Sequence, residues 1–383
     1  MIGTGKRALV LSMAVVWLGA ASAEVGDDEG FRPLFNGEDL AGWVNVNTHE
    51  STWQVRDGMI VCSGKPIGEL RTERQYENFI IEIEWRHTQA GGNAGLFVWA
   101  DDLPARGVPF IRGIEVQILD GRNTENSTSH GDVFAIHGAT MKPDRPHPSG
   151  WARCLPSEHR CKPAGQWNHY RVTCDNGTLK LAVNGQEVSG GSQCSPRKGY
   201  ICLESEGSET HFRNIRIKEL PSSNPPAEMV GSAARGLRPL YRGIDLAGWK
   251  VEAAQAEHWM ARDWTLRSDG KSTAGDKTFW TKDAYDEFDL IVDWRWEIEP
   301  SRHTIPVRLG GRELLTDEVD AKAKTWHRVE IACRAGGLSV VLDGKTLARN
   351  LPRPAPRGPT AIGLAHQGVP VEFANIFIRS IND

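Results

Sequence analysis

Short segments in which apolar and polar residues alternate dominate the chain. In residues 79–86, Ile81, Ile83 and Trp85 fall on one side of an extended strand and charged residues fall on the other. Two further segments of this kind flank Asp57-Gly58, a dipeptide typical of tight hairpins. No segment keeps a helical period. Many short strands with regular turn signals predict a β-sandwich or jelly roll.

The strand pattern occurs twice. Residues 31–43 and 237–249 are identical at nine of thirteen positions, including a shared Asp-Leu-Ala-Gly-Trp. Further along, Trp167 and Cys174 correspond to Trp326 and Cys333, seven residues apart in both copies. A period this long indicates duplication of a whole domain rather than a solenoid, whose units have ~20–50 residues.

We therefore expect one domain over residues 31–220 and a second over 237–381, joined by a Pro-, Ala- and Gly-rich linker at 221–236. The copies are unequal. In the first copy Trp167 lies 81 positions after Arg86, whereas in the second copy Trp326 lies only 31 positions after the matching Arg295. We expect the active site in this excess, and we expect the second copy to be degenerate.

Residues 1–23 have the features of a signal peptide: a basic Lys6-Arg7, an apolar run, and the cleavage triplet Ala21-Ser22-Ala23. The apolar run is shorter than the ~20 residues of a membrane span. We expect export to the periplasm or the outside of the cell, with no membrane span in the mature chain. The alternative is an uncleaved membrane anchor.

Charge and aromatic content favour a carbohydrate partner. The net charge of −4 argues against nucleic acid as a partner. Fourteen Trp against five Tyr is unusual, and in exported β proteins Trp often stacks on sugars. Trp99 and Trp151 have no counterpart in the second copy and are the predicted sugar-stacking residues. The Trp residues that occur in both copies are predicted to be core: Trp43, Trp167, Trp249 and Trp326. The sequence leaves the oligomeric state open.

The seven cysteines predict a disulfide and some free thiols. Cys154 and Cys161 flank a short Pro-containing loop and form the predicted disulfide. Cys174 and Cys333 occupy matching strand positions and are predicted to be reduced core thiols. No Cys-x-x-Cys pair is present, so no metal site or cofactor is expected, although a divalent metal stays open.

The most specific motif is Gly113–Asp120. Glu115 and Gln117 share one face of a strand, and Asp120 joins them only if a β-bulge shifts the alternation. The segment resembles the Glu-x-Asp-x-x-Glu strand of laminarinase-type glycosidases, but with Gln117 in the middle and the shorter Asp120 at the end. The alternative is a strand-ending Asp and a solvent-facing, salt-bridged Glu.

Other polar residues of the first copy complete the predicted site. Glu204 and Glu206 stand where the second copy has Ala365 and Gln367. Glu84 has Asp293 as its counterpart, which favours a structural ion pair, but it remains a candidate for substrate binding. The candidates in and around the excess segments are Asn93, His130, Asp132 and His137, and the last three suit metal ligation, proton transfer or sugar binding equally.

Several motifs together resemble the 3-keto-disaccharide hydrolase family, also described as 3-keto-glucoside-1,2-lyase/2-hydroxy-glucal hydratase. They are Leu34-Phe35-Asn36-Gly37-x-Asp39-Leu40-x-Gly42-Trp43, Asn78-Phe79, Glu84-Trp85-Arg86, Gly92–Phe97, Gly113–Asp120, Trp167-Asn168 and Phe212–Ile215. The likeness is strong over residues 31–220 and weaker over 237–381. It implies two tandem concanavalin A-like lectin/glucanase jelly-roll sandwiches, all-β, in an exported bacterial protein.

The resemblance also implies a chemistry. A ketone at C3 of a sugar acidifies the C2 proton, so a base there drives elimination at C1, and hydration completes a net hydrolysis. Under this hypothesis Glu115 or His137 is the base, and Asp120 or Glu204 serves the leaving group. The predicted substrate-binding residues are Glu84, Asn93, Trp99, Gln117, His130 and Trp151. The alternatives are a non-catalytic carbohydrate-binding protein and, third, an ordinary laminarinase-type glycosidase.

Overall fold

The computed structural model of the protein describes Met1 and residues 29–120, 122–123, 128–273, 276–353 and 358–381. The predicted signal peptide lies, Met1 apart, outside the described residues. Two short 3₁₀ turns, Glu50–Thr52 and Ala227–Met229, accompany a fold that is otherwise β. Within the described ranges, no helix has the length and apolarity needed to cross a membrane.

The first copy folds into eighteen strands within the described residues. In chain order they are β1 (Arg32–Pro33), β2 (Trp43–Asn45), β3 (Trp53–Arg56), β4 (Met59–Cys62), β5 (Gly68–Thr72), β6 (Phe79–His87), β7 (Asn93–Ala100), β8 (Gly113–Leu119), β9 (Arg122–Asn123), β10 (Thr128–Ser129), β11 (Val133–Ile136), β12 (Thr140–Pro143), β13 (Arg153–Cys154), β14 (Asn168–Asp175), β15 (Thr178–Val183), β16 (Gln186–Ser195), β17 (Tyr200–Ser205) and β18 (Thr210–Glu219).

Two antiparallel sheets form the first sandwich. The back sheet has the order β12-β16-β15-β14-β6-β18-β4-β3, with β1 added to β18. The front sheet has the order β13-β11-β8-β7-β17-β5-β2, and β9 and β10 form a separate two-stranded ribbon. The predicted hairpin is present, because β3 pairs with β4 through a turn in which Asp57 and Gly58 both have positive φ (51° and 73°).

The core lies between these sheets and follows from the alternation along the strands. Ile81, Ile83 and Trp85 point inward from the back sheet, as predicted, and are almost fully buried. From the front sheet, Ile114 and Val116 point inward to the same core. Because side chains alternate along a strand, Glu115 and Gln117 must then face outward. The polar face of β8 is therefore the outer face of the front sheet.

The second copy repeats the plan with fewer strands. In chain order they are β19 (Arg238–Pro239), β20 (Trp259–Arg262), β21 (Thr265–Ser268), β22 (Thr278–Tyr285), β23 (Phe288–Trp296), β24 (Val307–Leu309), β25 (Arg312–Glu313), β26 (His327–Arg334), β27 (Gly337–Leu342), β28 (Lys345–Leu351), β29 (Thr360–Ala365) and β30 (Val371–Ser380). One sheet has the order β20-β21-β30-β23-β26-β27-β28 with β19 on β30, and the other the order β22-β29-β24-β25. The predicted fold class, two tandem jelly-roll sandwiches, is confirmed.

The two sandwiches contact each other through a loop of the first. Residues 101–112, which we term the bridging loop, connect β7 to β8 and reach the outer face of the larger second-copy sheet. At its tip, the Gly107 amide donates to Asp293 Oδ2 (2.8 Å). A small apolar cluster that includes Ile111, Phe97 and Phe377 fills the space beside it. The bridging loop, whose tip contacts the second sandwich, thus covers part of the outer face of the front sheet.

Candidate functional site

A row of polar residues crosses the outer face of the front sheet. Strand pairing sets Gln117 of β8 opposite Gly95 of β7, and Leu203 opposite Leu96, so Glu204 of β17 lies beside Gly95 on its other flank. Glu204 pairs in turn with Glu69 of β5. The row Gln117–Gly95–Glu204–Glu69 is therefore fixed by backbone register. We call these residues, with Glu115, the carboxylate row.

Gly95 makes room for two carboxylates. A Cβ at this position would stand 2.9 Å from Glu204 Oε2 and 3.0 Å from Glu115 Oε1. These two oxygens therefore converge on the point above Gly95 where other residues would carry a side chain. Glu115 and Glu204 are only 6% and 2% exposed, so the carboxylates meet in a largely water-free place.

A chain of hydrogen bonds links Gln117 of the row to Asn93 and Glu206. Gln117 Nε2 donates to Asn93 Oδ1 (2.5 Å), and Asn93 Nδ2 donates to Glu206 Oε2. Glu206 lies close enough to Glu204 for the two carboxyl groups to interact, and this interaction raises the pKa of Glu204. The protonated form of Glu204 is thus favoured next to Glu115.

The carboxyl groups of the row have raised pKa values. Burial is the main cause for Glu115 and Glu204, and the negative charges of neighbouring carboxylates add to it. Burial also raises the pKa of Glu206, and it raises that of Glu69 to about 8. Like charges in a dry site cannot all ionise together. The surroundings of the row therefore favour the protonated forms of its carboxyl groups.

One positive charge faces the row. Phe134 of β11 pairs with Glu115 and, on its other side, with Arg153 of β13. The Arg153 guanidinium lies 4.2 Å from the centre of the Phe134 ring and favours the ionised form of Glu115. It lies 3.9 Å from buried Asp132. Trp151, 47% exposed, stacks on His147 (4.4 Å) and lies 5.5 Å from the same guanidinium.

Comparison with known proteins assigns the domain that carries this site. Residues 30–218 match the model of the 3-keto-alpha-glucoside-1,2-lyase-like domain. The match covers the first sandwich, 189 of the chain's 383 residues. The whole carboxylate row lies inside this lyase-like domain. The 3-keto-disaccharide hydrolase of Bacteroides thetaiotaomicron VPI-5482 is 22% identical over 245 residues, which cover 51% of this chain and 80% of that relative.

Solved structures with a related arrangement include a suspected glycosyl hydrolase of Parabacteroides distasonis ATCC 8503, with 25% identity and a TM-score of 0.40 over 51% of this chain and 96% of that one. A second is the β-glucanase of Bacillus licheniformis, with 12% identity and a TM-score of 0.31 over 50% of this chain and 97% of that one.

The second sandwich retains the register of the lyase-like domain but not its charges. The register positions of Glu69, Glu204 and Glu206 carry Thr278, Ala365 and Gln367, which follows from the pairing of β22, β24 and β29. Gln367 Nε2 donates to Thr304 Oγ1, a neutral copy of the bond between Asn93 and Glu206.

One carboxylate does return in the second sandwich, which corrects the expectation that it lacks a counterpart of Glu115. Glu313 pairs with Arg308 as Glu115 pairs with Phe97. Glu313 is exposed, and its carboxylate lies 3.6 Å from the guanidinium of Arg308. A solvated carboxylate beside a guanidinium is a weak base, so Glu313 lacks the buried surroundings that raise the pKa of Glu115.

Two predicted substrate contacts lie away from the carboxylate row. Trp99 is fully buried in the core, where its Nε1 donates to the Glu77 carbonyl (2.6 Å), so it cannot stack on a sugar. Glu84 lies on the outer face of the back sheet and binds Arg213 (2.6 Å) and Asn214 (3.0 Å). It lines an open cleft of about 510 Å³ on the opposite side of the sandwich from the carboxylate row.

Two predicted catalytic residues lie apart from the row. Asp120 follows β8, which pairs with β7 without a bulge. Its carboxylate accepts the amides of Gly91 (3.0 Å) and Ala164 (3.1 Å), so it ties two loops together. His137 is exposed beyond the end of β11, and its ring stacks on Phe110 of the bridging loop. The row thus brings together Glu115, Gln117, Asn93 and Glu204, while Asp120 and His137 stand outside it.

The histidine His130 is buried in a side-chain cluster. Its ring contacts the edge of His159 at 5.3 Å between centroids, and it follows the ribbon strand β10. A metal-binding role for His130, Asp132 or His137 gains no support, because the described part of the chain contains no group of three or more His, Cys, Asp or Glu residues arranged to hold a metal ion.

Cysteines and tryptophans partly depart from expectation. Cys154 and Cys161 are both free thiols, so the predicted disulfide is absent. Cys174 and Cys333 are buried free thiols, as predicted. Of the duplicated tryptophans, Trp43 and Trp249 are core residues. Trp167 and Trp326 are half-buried and lie beneath arginines instead, at 4.0 Å from Arg213 and 4.8 Å from Arg295.

Two residues of the site escaped sequence reasoning. Glu69 lies in a short segment, residues 68–72, whose alternation is too brief to assign a face. Arg153 lies in a Pro-rich loop without a strand signal. Glu206 was noted in the sequence, because Gln367 replaces it in the second copy, but it received no role there. The comparison of the two copies could have found Glu69 as well, since Thr278 is its counterpart.

Glu69→Gln is expected to stabilise the protein at alkaline pH. As pH rises from about 4.5 to 8, the unfolded chain releases the Glu69 proton while the folded protein keeps it, so folding stability falls. The amide has no proton to lose. The free energy of unfolding of Glu69→Gln should exceed that of the parent only slightly at pH 5 and by at most about 5 kcal/mol at pH 9. This upper limit follows from ~1.4 kcal/mol for each unit of difference between the folded and unfolded pKa values.

Thermal or urea unfolding at both pH values would measure this gain, with Glu228→Gln in the exposed linker as the matched control. A difference between Glu69→Gln and the parent that does not change with pH would contradict the raised pKa of Glu69.

Proposed function

We propose that the lyase-like domain cleaves 3-keto-glycosides, including 3-keto-disaccharides, by abstraction of the C2 proton, elimination at C1 and hydration. The convergence of Glu115 and Glu204 above Gly95 carries this proposal. The reaction needs a base at C2 and an acid at the leaving oxygen within one sugar ring of each other. The name of the Bacteroides relative supports the choice of substrate class.

Glu115 is the proposed base. Its burial raises the pKa and so makes its ionised form a stronger base, while the positive charge of nearby Arg153 favours that ionised form. In the first step the carboxylate takes the proton from C2, and the electrons of that C–H bond form the C2–C3 double bond of an enolate whose charge rests on the C3 oxygen. Gln117 and Arg153 are the proposed donors to that oxygen.

Glu204 is the proposed acid. Its pKa is raised by burial and by neighbouring carboxylates, which favours its protonated form. The proton of Glu204 passes to the glycosidic oxygen as the C1–O bond breaks, the enolate electrons form the C1–C2 double bond, and the C3 ketone returns. Water then adds its oxygen to C1, giving up a proton to Glu204, and the proton on Glu115 returns to C2. The sum is hydrolysis, and both carboxyl groups end in their starting states. Asn93 holds Glu206 and Gln117 in this chain.

A second candidate function has one specific observation in its favour. Glu115 Oε1 and Glu204 Oε2 each lie about 3 Å from one point, so they are at most about 6 Å apart. Retaining glycosidases need two carboxyl groups ~5–5.5 Å apart. Ordinary retaining hydrolysis by Glu115 and Glu204 is therefore the competing reaction. A further alternative is that the domain binds carbohydrate without cleaving it.

A matched pair of substrates tests the proposal. The full chain should release the leaving group from a 3-keto-glucoside and leave the same glucoside with an ordinary C3 hydroxyl intact. In heavy water the product should carry deuterium at C2, because the proton held on Glu115 exchanges with the water that enters for the hydration step before it is returned to C2. Equal cleavage of both substrates without C2 deuterium would identify a glycosidase, and binding of both without cleavage would identify a binding protein.

Export forms part of the proposal and rests on residues 1–23. Expression of the full chain in a bacterium, followed by fractionation and N-terminal sequencing, should give a protein that begins at Glu24 outside the cytoplasm. An intact N-terminus in the membrane fraction would instead indicate an anchor.

Trp151→Ala tests the remaining predicted sugar-stacking residue. The indole is the exposed aromatic ring beside Arg153, so its loss should raise KM for the 3-keto-glucoside roughly 5- to 10-fold with little change in kcat, as expected when uniform binding is removed. Met229→Ala is the control, because Met229 is an exposed apolar residue of the linker. An unchanged KM would remove Trp151 from the sugar site.

A further inference from the structure

The bridging loop is a feature of the first sandwich alone. It joins β7, which carries Gly95, to β8, which carries Glu115. In the second sandwich the matching strands β24 and β25 are joined by only Gly310 and Gly311. The loop therefore belongs to the excess of the first copy, and it begins and ends on the two strands that hold the site.

The inner end of the loop closes over the carboxylate row. The Ile111 amide donates to Glu69 Oε1 (2.8 Å), and Ile111 itself is fully buried. Asn47 Nδ2 donates to the carbonyl of Pro109 (2.9 Å), and the Phe110 ring stacks on His137. The loop thus excludes water from Glu69 and limits its access to the rest of the row.

The tip of the loop lies on the second sandwich, which binds it mainly through main-chain groups. Asp293 Oδ2 accepts the amide of Gly107 (2.8 Å). Asn375 Nδ2 donates to the carbonyls of Ala105 (3.1 Å) and Val108 (3.0 Å). In addition, an Arg328 nitrogen donates to the Pro104 carbonyl (3.0 Å).

These three side chains are also fixed to one another. Asp293 is fully buried and accepts two bonds from Arg328 (2.6 and 2.8 Å) and one from Asn375 (2.8 Å). Beside them, Gly107 packs flat on the Trp326 ring, where a Cβ would stand 2.2 Å from Cγ. Asp293, Arg328, Asn375 and Trp326 therefore form a binding site for the loop tip, which we call the seat. The seat accepts the tip only when residue 107 has no side chain.

We propose that the second sandwich is a platform that holds the bridging loop over the carboxylate row, with Asp293 as the central positioning residue. Asp293 touches no reacting atom and acts through Gly107 and the loop on Ile111 and Glu69. This inference rests on the proposed function of the row. It gives the copy that lost the catalytic charges a role in the reaction of the copy that kept them.

A displaced loop should change the reaction in a way that a purely structural role would not. Burial is the main cause of the raised pKa of Glu115, Glu204 and Glu69, so water entering under a released loop should lower all three. The acidic limb of the pH profile of kcat/KM, which reports ionisation of the base, should then move to lower pH.

Gly107→Ala in the full chain is the test, and Gly58→Ala is its matched control. Both glycines have nearly the same positive φ (72° and 73°), but a Cβ at Gly58 meets nothing within 4 Å. We expect Gly107→Ala to lower kcat/KM on the 3-keto-glucoside roughly 10- to 100-fold, as small misplacements in a site do. Its acidic limb should move to lower pH, and amides of residues 101–112 should exchange hydrogen faster. Gly58→Ala should match the parent in all three.

A conservative replacement of the seat gives a second test. Asp293→Asn keeps an oxygen that accepts the Gly107 amide, whereas Asp293→Ala does not, so the former should retain more of the parent kcat/KM and a pH profile nearer to the parent's. Equal losses in both variants would overturn the positioning role of Asp293.

The outcomes separate this inference from the proposed function. Faster exchange in the loop of Gly107→Ala with unchanged kcat/KM and pH profile would overturn the platform role, and so would unchanged exchange. A parent protein inactive on 3-keto-glucosides would instead refute the proposed function, and exchange in the loop would still decide whether the seat holds the tip.

Discussion

Replacing Glu115 with glutamine is expected to lower kcat on a 3-keto-glucoside by ~10²–10⁴-fold, the usual cost of removing a general base. The amide has nearly the shape of the carboxylate, so the packing against Phe97 and Phe134 is kept. It cannot take the C2 proton. KM should change little, because the base acts mainly in the transition state. Steady-state kinetics on the purified full chain, with circular dichroism as a check of the fold, gives the measurement.

The control for this variant is Glu38→Gln, an exposed glutamate of the first sandwich far from the front sheet. It should keep the parent kcat. If Glu115→Gln retained more than a tenth of the parent kcat, the C2 proton would have to pass to another group, and Glu204 would be the next residue to replace.

Gly95→Ala is expected to lower kcat/KM by roughly 10²-fold or more, although it changes no residue with acid–base chemistry. The added methyl would stand within 3.0 Å of oxygens of both Glu115 and Glu204, so both carboxylates must move away from the point on which they converge. The expected loss of folding stability is modest, about 1–3 kcal/mol for an overpacked buried site. Activity should therefore fall far more than the unfolding temperature.

Gly336→Ala is the matched control, because a Cβ there meets nothing within 4 Å and, as at Gly95, no positive φ is required. It should behave as the parent in both assays. Near-normal turnover by Gly95→Ala would show that the two carboxylates need not meet above this glycine, and the assignment of acid and base would fail with it.

The fold followed from the sequence because its determinants are local and repeated. Alternation along β6 and β8 set which side chains enter the core, and the Asp57-Gly58 turn set a hairpin register. The repeat added an independent check, since the same pattern had to form the same sandwich twice. The pairing Glu115–Phe134–Arg153 was not accessible in this way, because it joins strands separated by long loops.

The site was predicted in part for the same reason. Glu115 and Gln117 share a strand, so their common face followed from alternation. Asn93 and Glu204 were found because the second copy lacks them. Asp120 and Trp99 were misplaced by one local detail each: β8 has no bulge, and the positive φ of Trp99 (54°) turns its side chain into the core. The place of Glu69 beside Glu204 depends on the order of strands β8, β7, β17 and β5, which no local pattern contains, although the Thr278 counterpart in the second copy marks the residue as different.

The contacts between the second sandwich and the bridging loop have a consequence for how the substrate preference of related proteins can diverge. Gly107, Ala105, Val108 and Pro104 are held by amide and carbonyl groups, which every amino acid except proline supplies in full. Gly107 must keep its identity, and the Arg106 side chain adds one contact, to Asp343 Oδ1 (2.6 Å). Other side chains of the loop, such as Phe110, which stacks on His137, are therefore free to vary without loss of anchorage, in the way that a rigid framework allows its binding loops to diversify. A library randomised at Phe110 and Val108 should yield folded, docked variants with altered preference for the leaving group.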